Sequence, residues 1–419
     1  TTCMKEKTIT VILLQRTDNS RMNHEPENSR LNYFDTDLLK YSTEDRRGNV
    51  VVSPASIKST LALLLEGATG NTEAEIRSSL RLSPNKNEFR EQLNIYLTAL
   101  QFNTTGAKLQ NTNGIFVSNK LKLKKEYEKI IQKVYLSEVI KMDFQSPVVA
   151  TNAINSWISN KTKGVISSLI EPAHIPPTSD ILLSNALYFK SAWLHAFDHT
   201  LTRSACFRLQ GVCKKQVAMM EINTELNYAF IDNLRAHAVE LPYEGGRYSM
   251  ILLVPQDQDG LVALIRDLPY VSLPQIAKAM EPTHVHLSMP RFTVDYSEDM
   301  VGPLRSMRIT TLFSSLSNLS GIFEGGPTQI NHLFHRVHLS VDEDGTVAAA
   351  ATAAMVVPLI EGSVQLVTDR PFVFFIRDNN LGLVLFEGKI EEPNEYVAPK
   401  MNSENNNAKL AMNRVTKRF

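Results

Sequence analysis

The hydrophobic positions of the chain fall into two regimes. Up to Phe102 they recur at helical spacing. Leu31, Phe34, Leu38 and Leu39 form one stripe. Ile57, Leu61, Leu64 and Leu65 form another along Ser56 to Glu66, directly after Ser53-Pro54, a pair suited to opening a helix. Gly67 and Gly70 end that helix, Asn71-Thr72 begins the next, and Phe89 to Phe102 carries a further amphipathic pattern.

Beyond Phe102 the pattern shortens to apolar or alternating runs bounded by turn residues. Gly114 to Ser118, Ser137 to Phe144, Ile181 to Phe189, Ala238 to Leu241 and Ser249 to Val254 predict strands. So do Val285 to Leu287, Arg291 to Tyr296, Val337 to Val341, Val364 to Val367, Phe372 to Ile376 and Leu383 to Lys389. Helical patterns at Val149 to Lys161 and Gly260 to Arg266 lie among them without a regular βαβ rhythm, so the class is α+β. No internal repeat is visible, and no Gly/Ser or Pro-rich linker divides the middle of the chain, which favours one domain over residues 31–393. Residues 1–30 read as a loose arm and 394–419, with the run Asn405-Asn406-Asn407, as a disordered tail.

Composition narrows the functional classes. Of 419 residues, 43% are hydrophobic and 21% charged, enough to bury a large core. Lys and Arg total 44 and Asp and Glu total 44, a formal charge of zero that argues against nucleic acid or anionic lipid as partner. No apolar stretch approaches the ~20 residues that span a bilayer. The chain begins at Thr1, and Thr8 to Leu14 is too short for a complete signal peptide, so the sequence reads as processed or trimmed. Cys206 and Cys213 are spaced to bridge a hairpin, leaving Cys3 alone; three free thiols are the alternative. Asn103-Thr104-Thr105, Asn160-Lys161-Thr162 and Asn318-Leu319-Ser320 are N-glycosylation triplets. Together these features point to a secreted, extracellular chain.

Familiar catalytic chemistry is missing. There is no Gly-x-Ser-x-Gly, phosphate loop or dinucleotide fingerprint, so neither a catalytic residue nor a cofactor is expected. His284 and His286 would share a strand face but lack a third metal ligand, and His335 would face away from His332 and His338. Asp257 to Gly260 is a turn rather than a calcium loop, because Pro255 and Arg266 occupy the flanking ligand positions. Lys120, Lys122, Lys124 and Lys125 are a candidate contact for a sulfated polysaccharide, although a solvated strand and helix start is the simpler reading.

The stretch from Val341 to Ile360 does not fit an ordinary core. Its alanines suit a short buried helix. However, the segment lies between strands, has no polar helical face, and opens on carboxylates with Gly345 that resemble a turn or hinge. As a strand, it would place Thr346, Ala348, Ala350, Thr352 and Ala354 on one face, small enough to slip into a packed sheet.

Glu343-Asp344-Gly345-Thr346 followed by Val347 and Ala348, Ala349, Ala350 and Ala351 resembles the hinge and reactive loop of serpins. The resemblance extends over residues 31–393. It includes Asn49 to Ile57, Gly67 to Thr72, Asn185 to Trp193, Arg370 to Phe374 and Leu385 to Lys389. It implies three β-sheets, about nine helices and an exposed reactive-centre loop over about 343–368. It also implies a monomer that inhibits a serine protease as a suicide substrate. The cut loop enters the central sheet while the protease is held as a covalent acyl complex. Ser53, Ser56, Asn185 and His335 resemble the cluster that controls sheet opening; Trp193 marks where the loop first enters, and Arg291 pairs with Glu343. Val347 departs from the Glu common there in inhibitory members, but points to the exposed face.

Family spacing counted from Gly345 places the scissile bond at Leu359-Ile360, whereas counting back from Pro371 places it after Ile360. Both give an aliphatic bait, and no Lys or Arg lies between Val347 and Asp369, which favours an elastase-like or chymotrypsin-like target. The alternatives are a non-inhibitory carrier or chaperone, and an inhibitor of an apolar-preferring cysteine protease.

Overall fold

A computed structural model describes residues 34–83, 85, 87–88, 90–91, 100, 107–135, 137–325, 330–346 and 363–397 of the protein. The predicted helix over Phe89 to Phe102, the N-terminal arm and Asn103 lie wholly or largely outside these residues. Among the described residues there are eight α-helices: α1 (Phe34–Thr43), α2 (Pro54–Leu65), α3 (Gly70–Leu80), α4 (Lys125–Lys133), α5 (Pro147–Lys161), α6 (Leu261–Asp267), α7 (Leu273–Ala279) and α8 (Val301–Ser306). The most enclosed is α2. Only Lys58 escapes full burial, because the helix is sandwiched among strands. Pro54 opens it, and the Ser53 hydroxyl caps it by accepting from the Ser56 amide at 3.2 Å.

The strands form three sheets, as the resemblance implies. The largest joins β1 (Val50–Val52), β6 (Arg203–Leu209), β7 (Val212–Ile231), β8 (Ala236–Pro242), β9 (Tyr248–Pro255), β10 (Glu281–Pro290), β15 (Val364–Val367), β16 (Phe372–Asp378) and β17 (Leu383–Ile390). Tyr248 to Pro255 is buried along its whole length, which explains an unbroken apolar run where a half-exposed strand would alternate. A two-stranded ribbon pairs β3 (Lys122–Leu123) with β12 (Phe323–Glu324).

The six-stranded sheet positions the functional segment. Its order is β11 (Phe292–Asp299), β13 (Ile330–Val341), β14 (Gly345–Thr346), β5 (Ile181–Ala192), β2 (Ala107–Ser118) and β4 (Glu138–Met142). β13 and β5 also pair with each other, in parallel, from Ile330/Ile181 to Val337/Leu187.

One strand was not predicted, and one expectation needs correction. β7 extends through twenty residues that periodicity did not mark as one strand. It starts exposed at Val212 to Gln216, becomes continuously buried at Val217 to Met220, then alternates, so no single pattern describes it. The segment read as the start of a loose tail is docked at residues 394–397: Glu395 bridges to Val217, the Tyr396 amide donates to the Gln216 carbonyl at 2.8 Å, and Asn394 accepts from the Thr293 amide. The fixed ladder of β7 and β11 supplies those partners, which the polar composition of the tail did not reveal.

Candidate functional site

The seam between β13 and β5 is closed at its lower part by polar side chains from four elements. His335 on β13 is fully buried; its Nε2 accepts from the Ser53 amide at 2.9 Å, so Nδ1 carries the proton and donates to Asn185 Oδ1 on β5 at 2.8 Å. Asn185 Nδ2 in turn donates to Thr60 Oγ1 at 3.0 Å and Asn113 Oδ1 at 3.1 Å, and Asn113 Nδ2 donates to Ser59 Oγ at 3.0 Å. The Ser59 hydroxyl donates to the Ser56 carbonyl at 2.7 Å. Burial pushes His335 down to about 3, keeping the imidazole neutral and the tautomer fixed. Sliding β13 from β5 breaks the His335–Asn185 bond inside a dry core.

Ser53, Ser56, Asn185 and His335 are therefore brought together, as the resemblance implies. Ser59, Thr60 and Asn113 were missed. For Ser59 and Thr60 the signal was a polar row with Ser56, spaced three and four along a largely buried helix; Asn113 on β2 had none.

At the upper end the two strands admit a third. Gly345 pairs with Ala192 and Thr346 with Ser191 on β5, while Thr346 pairs with Val341 on β13, antiparallel in both cases. Gly345 is required here: its φ is +150°, and an added Cβ would lie 2.2 Å from the Ser191 carbonyl oxygen. Asp342 shapes the turn into this strand. Its amide donates to the Gly345 carbonyl at 3.0 Å, and its carboxylate accepts from the amides of Asp344 at 3.1 Å and Gly345 at 3.2 Å.

The base of the hinge is held along its backbone. The amides of Trp193 and Phe197 donate to the carbonyls of Asp344 and Glu343, both at 2.9 Å, and Trp193 Nε1 donates to the Asp342 carbonyl at 2.9 Å. Glu343 Oε1 accepts from Arg291 and, at 2.6 Å, from Thr202 Oγ1. Burial alone would raise the Glu343 carboxyl, but these donors overcome it and hold the group below its usual range. His199 Nε2 meets Asp344 Oδ1 at 2.9 Å, and this bond, supported by the charge of Asp344, raises the imidazole above its ordinary range. Thr202 and His199 carry no sequence signal, because they sit in an irregular segment folded onto the hinge from far along the chain.

Residues 347–362, including the alanine run, Leu359 and Ile360, lie outside the described residues. Beyond them, β15 is an edge strand paired in parallel with β10. Cys206 and Cys213 are joined by a disulfide across the β6–β7 hairpin, and Arg208 between them pairs with Asp369 just after β15. Asn160 and Asn318 are exposed. No group of three metal-ligating side chains occurs among the described residues. His332 and His338 pair separately with Asp299 and Asp295, each at 2.7 Å.

The family model for serpins, the serine protease inhibitors, matches residues 29–393. Leukocyte elastase inhibitor of Sus scrofa is 32% identical over 373 residues, covering 86% of this chain and 97% of that one. Intracellular coagulation inhibitor 1 of Tachypleus tridentatus is 33% identical over 371 residues, covering 86% and 88%. The crystal structure of Serpin48 from the insect Tenebrio molitor has a TM-score of 0.79 at 26% identity and covers 89% of this chain and 100% of that one. Its hinge, its seam and these matches agree: the chain belongs to the serpin family of protease inhibitors, not of enzymes.

Proposed function

We propose that the chain is a secreted suicide-substrate inhibitor of an elastase-like or chymotrypsin-like serine protease. The target's serine oxygen attacks the carbonyl of Leu359 or Ile360. The peptide bond breaks, the new amine takes the proton relayed by the protease's general base, and an ester to the bait residue remains. The freed hinge then continues as a strand between β13 and β5, carrying the acylated protease with it before water can hydrolyse the ester.

The observation that carries this reading is the position of Gly345–Thr346, antiparallel to both β13 and β5 and thus in the direction a further strand would take. Small residues at Ala348, Ala350, Thr352 and Ala354 support continuation, since a bulky or charged side chain on that face would meet packed interior. The absence of Lys and Arg between Val347 and Asp369 supports an apolar specificity pocket in the target. The Cys206–Cys213 disulfide and exposed Asn160 and Asn318 support secretion. Sulfated polysaccharide at Lys120, Lys122, Lys124 and Lys125 is a secondary proposal.

Incubation with pancreatic elastase or chymotrypsin should give an SDS-resistant complex, with intact mass placing the cut after Leu359 or Ile360. Loop cleavage without complex at every ratio of the two proteins would instead support a carrier or chaperone.

A further inference from the structure

We infer that Tyr243 is the receptor for the first inserted residue of the loop, a positioning residue that keeps the hinge docked as the nucleus of the incoming strand. This rests on the proposed inhibitory function for its kinetic consequence, though not for its structural part.

Tyr243 follows β8 and is bridged to Trp193, directly beyond the end of β5. Its ring stacks on Trp193 with centroids 4.4 Å apart and planes 11° from parallel, and meets Phe189 edge-on at 5.1 Å. The ring is thereby fixed from two sides, and its hydroxyl meets Thr346 Oγ1 at 2.7 Å. Tyr243 and Thr346 are both at 0% exposure. The Tyr243 hydroxyl would therefore be stranded in dry core if the hinge withdrew, and either hydroxyl would be stranded if the other were removed in place.

The described part of the docked hinge, Gly345 and Thr346, already pairs as the beginning of a strand. Direct pairing of β13 with β5 ends at Val337 and Leu187, whereas β14 pairs begin at Val341 and Ser191. The strands are thus already apart where the next loop residues would go. The costly step of adding a strand is fixing its first residues before ladder bonds accumulate. Holding Thr346 in register places that step before the encounter with protease. Insertion then competes better with hydrolysis of the ester. On this basis Tyr243 sets how much inhibitor is trapped and how much is merely cleaved.

The structural test uses tryptophan emission. The chain has two tryptophans. In a Trp157→Phe background, Trp193 alone reports, through its stack on Tyr243 and its bond to the hinge. Tyr243→Phe and Thr346→Val should each shift Trp193 emission and open the hinge to limited proteolysis, while Thr346→Ser, which keeps the hydroxyl, should match the parent. The double variant should change little beyond either single one, a coupling of about fivefold to tenfold in the docked-to-free ratio. Additive effects, or unchanged emission in both single variants, would overturn the latch.

The kinetic test mixes each variant with elastase. The ratio of cleaved to trapped inhibitor should rise about fivefold for Tyr243→Phe and for Thr346→Val, with Thr346→Ser near the parent. An unchanged ratio alongside shifted emission would overturn the positioning role. If the parent forms no complex at all, the inhibitory reading fails while the emission cycle still decides whether Tyr243 holds Thr346.

Discussion

The seam between β13 and β5 is built in two ways along its length. Below Val337 the strands pair directly and are tied by His335 and Asn185 to α2 and β2. Above it they hold Gly345 and Thr346 between them, with hinge carbonyls bonded to Trp193 and Phe197. The lower part is a lock of buried, mutually dependent hydrogen bonds; the upper part is a wedge already in place. The contrast implies an order of events. In the proposed mechanism insertion would run downward from the wedge and meet the His335 network after the first residues have entered.

Breaking the lock should have the largest effect. His335→Ala removes the acceptor of the Ser53 amide and the donor to Asn185, leaving both buried. The native form should lose about 3 kcal/mol, read as a lower urea midpoint.

Acid should act on the same residue. His335 is held at about 3 in the fold against an ordinary value near 6.5, so the unfolded chain binds the extra proton between these limits. Its contribution should be complete above pH ~6.5 and fall steadily as pH drops towards 3. A urea series across that window should show the slope in the parent and a flatter one in His335→Gln.

Loosening the wedge should have a smaller effect. Glu343→Ala leaves Arg291 and Thr202 without their acceptor. Arg291 is partly exposed, so the cost should be about 1–2 kcal/mol. The more telling readout is faster loss of inhibitory capacity at 37 °C.

His199→Gln should have the smallest effect. The His199 imidazole gains its proton's stabilisation from Asp344, so that contribution is present below its unfolded value and disappears as pH rises through the raised folded one. Exposure limits it to a few tenths of a kcal/mol. The parent should show a shallow decline in stability above neutrality that the variant lacks.

Much of this division was legible in the sequence, but unevenly. The wedge announced itself because Glu343-Asp344-Gly345-Thr346 and the alanines form one contiguous run with unusual composition. Helix α2 was also readable from its apolar stripe behind Ser53-Pro54, and β9 from the continuous apolar run that burial on every side leaves. Parts of the lock and latch were not. Asn113, Tyr243 and His199 gain their meaning only from the register of β2 against β5, the bridge to Trp193, and the packing of an irregular segment on the hinge. Each is a single polar residue in an unexceptional local sequence. The docked residues 394–397 were misread for a related reason, because backbone bonding to a distant ladder needs no apolar side chain.

Cleavage within the loop offers the most direct test that the seam accepts a new strand. Nicking with elastase and comparing heat midpoints before and after should show a rise of at least ~10 °C, because the released segment adds ladder bonds and burial to the central sheet. An unchanged or lower midpoint after complete cleavage would contradict insertion between β13 and β5.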